Sequence, residues 1–162
     1  MRVLFVCLGN ICRSPTAEAV FRQQLNVAGL DAQVVVDSAG TSDWHVGKPA
    51  DTRTRLAAQR RGYDMTALRG RQVQVEDFSR FDLILAMDWD NLALLEEACP
   101  PSQPARRKLR RLTEFVGNDS AHAGAQVVPD PYYGGPAGFD AVLDLVEAAC
   151  DGLVAHIQQK IG

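Results

Sequence analysis

Hydrophobic and polar positions along this chain follow two periods. Val3-Leu4-Phe5-Val6-Cys7 is short, continuously apolar and rich in β-branched and aromatic residues, which predicts a strand buried on both faces. Asp82-Leu83-Ile84-Leu85-Ala86-Met87 is the strongest strand pattern, and Gln33–Asp37 and Lys108–Leu112 are shorter ones. Between these runs the period changes to steps of three and four. Ala17, Val20, Phe21, Gln24, Leu25 and Ala28 predict a helix with Ser14 as N-cap, Pro15 at its first position and Gly29 closing it. Asp51–Arg61 predicts a basic amphipathic helix ended by Gly62, and Asn91–Ala98 a helix stopped at Pro100-Pro101. Phe139, Val142, Leu143, Val146, Cys150, Leu153 and Ile157 trace one face of a long helix over Gly138–Ile161. Ser38–Ala50, Cys99–Ala105 and Gly117–Gly135 read as irregular, and a loop as long as the last is usually functional or disordered. Strands alternating with helices predict an α/β domain with a parallel sheet. Such sheets bind ligands beyond the carboxyl ends of their strands, where the strand order reverses.

Composition narrows the classes. At about 150 residues per domain, 162 residues make one domain, spanning 1–162. Seventeen basic and twenty acidic residues leave a net charge of −3, which argues against a broad nucleic-acid surface. No apolar run reaches the roughly 20 residues of a membrane span. The run ending at Gly9-Asn10 is shorter than the about 7–15 residues of a secretory signal, so a cytoplasmic protein is expected. Cys7, Cys12, Cys99 and Cys150 form no CxxC pair, and His45, His122 and His156 are scattered, so neither a metal site nor a cofactor is expected. Cys99 and Cys150 fall in helical patterns and read as inert.

The segment after the first strand carries the chemistry. It reads Cys7-Leu8-Gly9-Asn10-Ile11-Cys12-Arg13-Ser14-Pro15. Backbone N–H groups from Leu8 to Ser14 in a tight loop make a nest for an oxyanion, and the helix behind adds its positive end. Gly9 and Asn10 tolerate backbone angles closed to most residues. Arg13 offers a planar fork matched to two phosphate oxygens. The same donors stabilise a thiolate at Cys7, and the Ser14 hydroxyl can donate to that sulfur. The GKS/GKT ending of a nucleotide P-loop is absent, which excludes an NTPase. A thiolate that displaces an alkoxide or phenolate needs a proton donor for the leaving oxygen. Asp130 fits, because Pro131 biases it towards an extended backbone within the long irregular stretch.

Cys-x5-Arg followed by Ser-Pro, near the N-terminus, resembles the low-molecular-weight protein tyrosine phosphatase family. The similarity continues through Asp37-Ser38-Ala39-Gly40-Thr41, Arg71-Gln72-Val73, Glu76-Asp77-Phe78, Phe81–Asp88 and Asp130-Pro131-Tyr132-Tyr133-Gly134, and so covers nearly the whole chain. It implies a three-layer open parallel sheet of four strands in flavodoxin-like order 2-1-3-4, with helices on both faces. It also implies metal-independent hydrolysis of protein phosphotyrosine through a phosphocysteine on Cys7. Arg13 would then bind phosphate through the loop Leu8, Gly9, Asn10, Ile11, Cys12, Arg13 and Ser14, and Asp130 would act as acid and then base. Trp44, Tyr132 and Tyr133 would form an aromatic rim, although a packed position suits Trp44 as well. Ser38 would pin Asn10, while Asp88 would support the loop or cap the next helix. A reversible Cys7–Cys12 disulfide would protect the nucleophile; the plainer reading of Cys12 is a packed small residue. Phosphotyrosyl proteins are the implied substrates, a tyrosine kinase is a candidate partner, and phosphate, sulfate or vanadate would occupy the site.

Three rivals remain at this level. Protein arginine phosphatases of the same fold carry threonine where Ile11 stands, and an isoleucine wall suits a phenyl ring better. Thioredoxin-linked arsenate reductases need two further cysteines near the end of the third strand, where Leu85-Ala86-Met87-Asp88-Trp89-Asp90-Asn91 has none. A non-catalytic phosphate binder would lose Cys7 or Asp130, and both are present. The basic residues Arg53, Arg55, Arg60 and Arg61, and Arg106-Arg107-Lys108 with Arg110-Arg111, read as solvated faces, the alternative being recruitment of an acidic phosphoprotein tail.

Overall fold

Four parallel strands, β1 (Arg2–Cys7), β2 (Val35–Gly40), β3 (Leu83–Ala86) and β4 (Leu109–Arg111), form a sheet in the order β2-β1-β3-β4, as expected. This is a computed structural model, which describes residues 1–161 apart from the side chain of Arg106. That side chain and Gly162 therefore lie outside the described residues. The helices are α1 (Arg13–Val27), α2 (Thr52–Arg60), α3 (Asp77–Arg80), α4 (Trp89–Ala98), α5 (Ala105–Lys108) and α6 (Pro136–Ile161). Among the described residues no helix is long and apolar enough to cross a membrane.

β1 is central because Val3, Leu4, Phe5 and Val6 leave nothing polar to face water, and all four are fully buried. The strand period of two sends alternate residues to opposite faces. Val3 and Phe5 join Leu83 and Leu85 against α1 and α6, with Phe5 and Phe21 edge to face at 5.6 Å. Leu4 and Val6 join Ile84 and Ala86 against Phe78 of α3 and Leu95 of α4. The long helix fits closely: a Cβ added at Gly152 would stand 1.6 Å from the carbonyl oxygen of Phe115, in the 3-10 turn Leu112–Phe115.

Several boundaries differ from the sequence expectation. β2 starts later than Gln33, whose N–H closes a turn onto Leu30, and it runs on through Ser38-Ala39-Gly40. Pairing with β1 out to Cys7↔Gly40 extends it, and small residues are tolerated because the strand end is buried against the loop. α1 begins at Arg13 with Cys12 as N-cap, so Ser14 is not the cap and Pro15 is the third helical residue. Pro15 still falls in the first turn, where its missing N–H has no intrahelical partner to lose. α3, α5 and the 3-10 turn have four residues each, too few to show a 3.6 period. β1 has β2 on one side and β3 on the other, so the strand order reverses at Cys7, its last residue.

Candidate active site

The loop between β1 and α1 turns its carbonyls outward. Thr41 N–H donates to the Cys7 carbonyl at 2.9 Å, Ser42 N–H to that of Leu8 at 3.0 Å, and Asp51 N–H to that of Ile11 at 2.9 Å. The N–H groups consequently face in. Those of Asn10 and Ser14 point to the Cys7 sulfur at 3.3 and 3.5 Å. Among the described residues, the N–H groups of Gly9, Ile11, Cys12 and Arg13 find no protein acceptor. This ring of free donors around a sulfur suits an anion.

A buried side-chain network holds the loop. Asn10 takes the left-handed region at φ 56°, where asparagine is tolerated and most residues are not. Its Oδ1 accepts the N–H of Arg71 at 2.9 Å, which fixes the amide orientation. Its Nδ2 then donates to Ser14 Oγ at 2.8 Å and Ser38 Oγ at 3.0 Å. The Ser38 hydroxyl in turn donates a hydrogen bond to Glu18 Oε1 at 2.8 Å. Ser14 Oγ, already an acceptor from Asn10, also lies 3.0 Å from the Cys7 sulfur and 3.4 Å from the Ala39 carbonyl, so its one proton faces both. That is why Ser14 does not cap α1. Arg71 pairs with Asp77 at 3.0 Å and Asp37 at 3.0 Å, tying the segment that holds Asn10 to α3 and β2. Burial pushes the Glu18 carboxyl above the usual carboxylate range, against the pull of Arg22 and Ser38.

Gly9 differs from the sequence reading: it does not use positive φ. An added Cβ there would stand 3.0 Å from His45 Cδ2, a tight contact that the imidazole would have to yield to.

Arg13 is buried, and its Nη1 donates to Asp88 Oδ2 at 2.6 Å and to the Val128 carbonyl at 3.1 Å. Asp88 has both parts that the sequence left open, because its other oxygen accepts the N–H of Asn91 at 2.7 Å and caps α4. Val128 also donates its N–H to the Met87 carbonyl at 2.7 Å, so the segment leading to Asp130 is fastened at the end of β3. Asp130 Oδ2 lies 3.7 Å from Arg13 Nη2, and its Oδ1 accepts the Tyr132 N–H at 3.0 Å.

Cys7, Arg13 and Asp130 line one cavity of about 110 Å³ with Leu8, Gly9, Ile11, Cys12, Trp44, His45, Tyr132 and Tyr133. Trp44 is 66% exposed and Tyr133 94% exposed, so both stand at the mouth rather than in the core. Tyr132 meets Tyr133 edge to face at 4.9 Å and His45 at 6.5 Å. Cys12 is a free buried thiol whose pKa burial pushes up to about 12. Cys150 is buried in α6, and Cys99 follows α4 rather than lying within it. Among the described residues no group of three or more His, Cys, Asp or Glu side chains is placed to hold a metal ion.

Sequence reasoning missed His45, Glu18 and Arg53. The first adjoins Trp44 in a loop already read as rim, and Glu18 lies four residues after Ser14 on the same helix face. Arg53 reads as solvated in the sequence, but it donates to the Tyr132 carbonyl at 2.8 Å and pairs with Asp51 at 3.2 Å. Its guanidinium sits 5.4 Å from the Tyr132 ring centre and 4.8 Å from that of Phe139. Other basic residues read as solvated are also tied down. Arg61 binds Asp144 at 2.9 Å and Glu147 at 2.5 Å, and Arg111 stacks on Trp89 at 3.8 Å. Lys108 donates to the Phe78 carbonyl at 2.7 Å, and Arg110 pairs with Glu114 at 2.8 Å.

Residues 2–161 match the family model described as low molecular weight phosphotyrosine protein phosphatase. A low molecular weight protein-tyrosine-phosphatase of Streptomyces coelicolor is 47% identical over 99% of this chain and 95% of its own length. A protein tyrosine phosphatase from Entamoeba histolytica, solved with Hepes in the active site, superposes with a TM-score of 0.91 at 40% identity, covering 100% of this chain and 99% of that one. A Drosophila arginine phosphatase superposes with a TM-score of 0.86 at 34% identity, covering 97% and 98%.

Proposed function

The chain belongs to the low-molecular-weight phosphotyrosine protein phosphatase family, and from that premise we propose that it hydrolyses protein phosphotyrosine through a phosphocysteine on Cys7. The observation that carries this reading is the Cys7 sulfur beneath a ring of inward N–H groups, with Arg13 and Asp130 on the same cavity.

In the first half-reaction the Cys7 thiolate attacks phosphorus opposite the ester oxygen, so the P–S bond forms as the P–O bond breaks. Loop N–H groups and the Arg13 fork hold the non-bridging oxygens. The anchoring of Nη1 by Asp88 and Val128 supports this role, because a preset fork needs no reorganisation when charge develops. Asp130 gives its proton to the leaving phenolate. In the second half-reaction Asp130 takes a proton from water, the water oxygen attacks phosphorus, and the P–S bond breaks. The returning thiolate is received by Ser14 Oγ and the two N–H groups. Ile11, Trp44 and Tyr132 offer apolar and aromatic walls to a phenyl ring. Capture of an oxidised Cys7 by Cys12 belongs to the same reading. Cytoplasm is the proposed compartment, since a reducing medium keeps Cys7 a thiol. Phosphate, sulfate and vanadate would compete at the loop.

The test is a set of initial rates on phosphotyrosyl, phosphoseryl and phosphoarginyl peptides of one sequence, in EDTA with reductant. A phosphotyrosine preference is expected. Preference for phosphoarginine would keep the roles of Cys7, Arg13 and Asp130 but overturn the reading of Ile11.

A further inference from the structure

α2 starts against the phosphate loop, where Asp51 N–H meets the Ile11 carbonyl, and it presents Arg53, Leu56 and Arg60 on one face at three- and four-residue steps. That face is not packed away: Leu56 is half exposed. With Pro136 and Phe139 from the first turn of α6, these residues line a groove of about 200 Å³. The groove leads off from the rim of the active-site cavity, because Arg53 stacks on both Tyr132 and Phe139. Its charge has one sign. Arg53 is met by Asp51, whereas Arg60 is exposed and has no carboxylate partner among the described residues. The nearest acid of the first turns of α6, Asp140, is engaged by Arg61 at 3.6 Å.

We propose that this groove binds the substrate polypeptide beside the phosphotyrosine, with an acidic side chain of the substrate on Arg60 and an apolar neighbour on the exposed Leu56 and Pro136. The proposal rests on the phosphotyrosine reading above and names the flanking sequence that the site selects. Charge complementarity and continuity with the rim support this occupant. Spacing refines it. From Arg53 to Arg60 the helix rises roughly 10 Å at about 1.5 Å per residue, a span covered by about three residues of extended chain. The acid therefore lies about three residues from the phosphotyrosine. The other flank of α2 provides the contrast. Its cleft, bounded by Arg55, Tyr63 and Met65, carries Asp64 in its wall, and Arg55 is turned onto the Ala50 carbonyl at 3.0 Å. An acidic occupant there would face a carboxylate.

The experiment compares kcat/KM on phosphotyrosyl peptides carrying Glu or Lys three residues before or after the phosphotyrosine, with p-nitrophenyl phosphate as a substrate too small to reach the groove. The unaltered protein is expected to favour one Glu peptide by about two- to fivefold, the range of an exposed ion pair, and less at high salt. Arg60→Glu is expected to reverse that preference and leave the p-nitrophenyl phosphate rate unchanged, which also reports an intact fold. Arg55→Glu makes the same charge change on the other flank and is expected to leave the preference standing. An unmoved ratio in Arg60→Glu overturns the proposal, as does an equal shift in both variants, which would mark long-range charge alone. Turnover of p-nitrophenyl phosphate with none of any phosphotyrosyl peptide is a separate result that removes the phosphotyrosine reading and this one with it.

Discussion

The Cys7–Ser14 loop and the segment carrying Asp130 face each other across one cavity, yet they are held by opposite means. In the loop, Asn10, Arg13 and Ser14 are at most 3% exposed, and each is tied to at least one other segment of the chain. Across the cavity, the Asp130 side chain is 40% exposed and Tyr133 almost wholly so. Beyond Val128 that segment is fastened mainly through Arg53 on the Tyr132 carbonyl and the local turn at Asp130. A preset base suits the part of the reaction common to every substrate, namely phosphoryl charge. A loosely fastened arm suits the part that varies, the leaving group and the chain attached to it. Changes in the base should therefore act on all substrates alike, and changes in the arm should discriminate among them.

Asp130→Asn tests that division most strongly. For esters of poor leaving groups the rate should fall by about 10²–10⁴, the usual worth of a general acid, while esters of good leaving groups lose far less. A uniform loss across a leaving-group series would assign the proton to another group. Arg13→Lys should cost about 10²–10³ in kcat/KM for every ester alike, because a point charge cannot replace the fork and Asp88 loses its partner. A loss confined to peptide substrates would move Arg13 from the phosphate to the rim. Arg53→Met should lower turnover of poor-leaving-group esters by about two- to fivefold and leave activated esters unchanged, since only an exposed contact is lost. Restoration by Arg53→Lys would show that charge, rather than the stacked plane, holds the Tyr132 carbonyl.

The same contrast explains what could be read from the sequence. The main strands, the long α6 and the Cys7–Ser14 loop are readable because period and spacing are local, whereas the strand order comes from the resemblance. Pro131 and the resemblance single out Asp130 in the sequence, and it lines the same cavity as Cys7 and Arg13. Glu18, Arg53 and Arg71 are not readable, because their partners Ser38, Tyr132 and Asn10 lie tens of residues away in the chain. Ser14 misled for a physical reason: it has the composition of a cap, but a buried sulfur 3.0 Å away and the Asn10 amide claim its hydroxyl. Ser38-Ala39-Gly40 likewise reads as loop, and only pairing with a central strand makes it part of β2.

The central claim is that the phosphoryl group rests on Cys7 between two chemical steps. Its most direct test is to mix Asp130→Asn protein with an activated aryl phosphate, quench with acid at early times and locate phosphate by peptide mass spectrometry. In that variant the second step loses its base while the first keeps a good leaving group, so the intermediate should accumulate. The account predicts a phosphoryl adduct on the peptide containing Cys7 and none in a Cys7→Ser, Asp130→Asn double variant. Turnover without any such adduct, or an adduct on another residue, would contradict it.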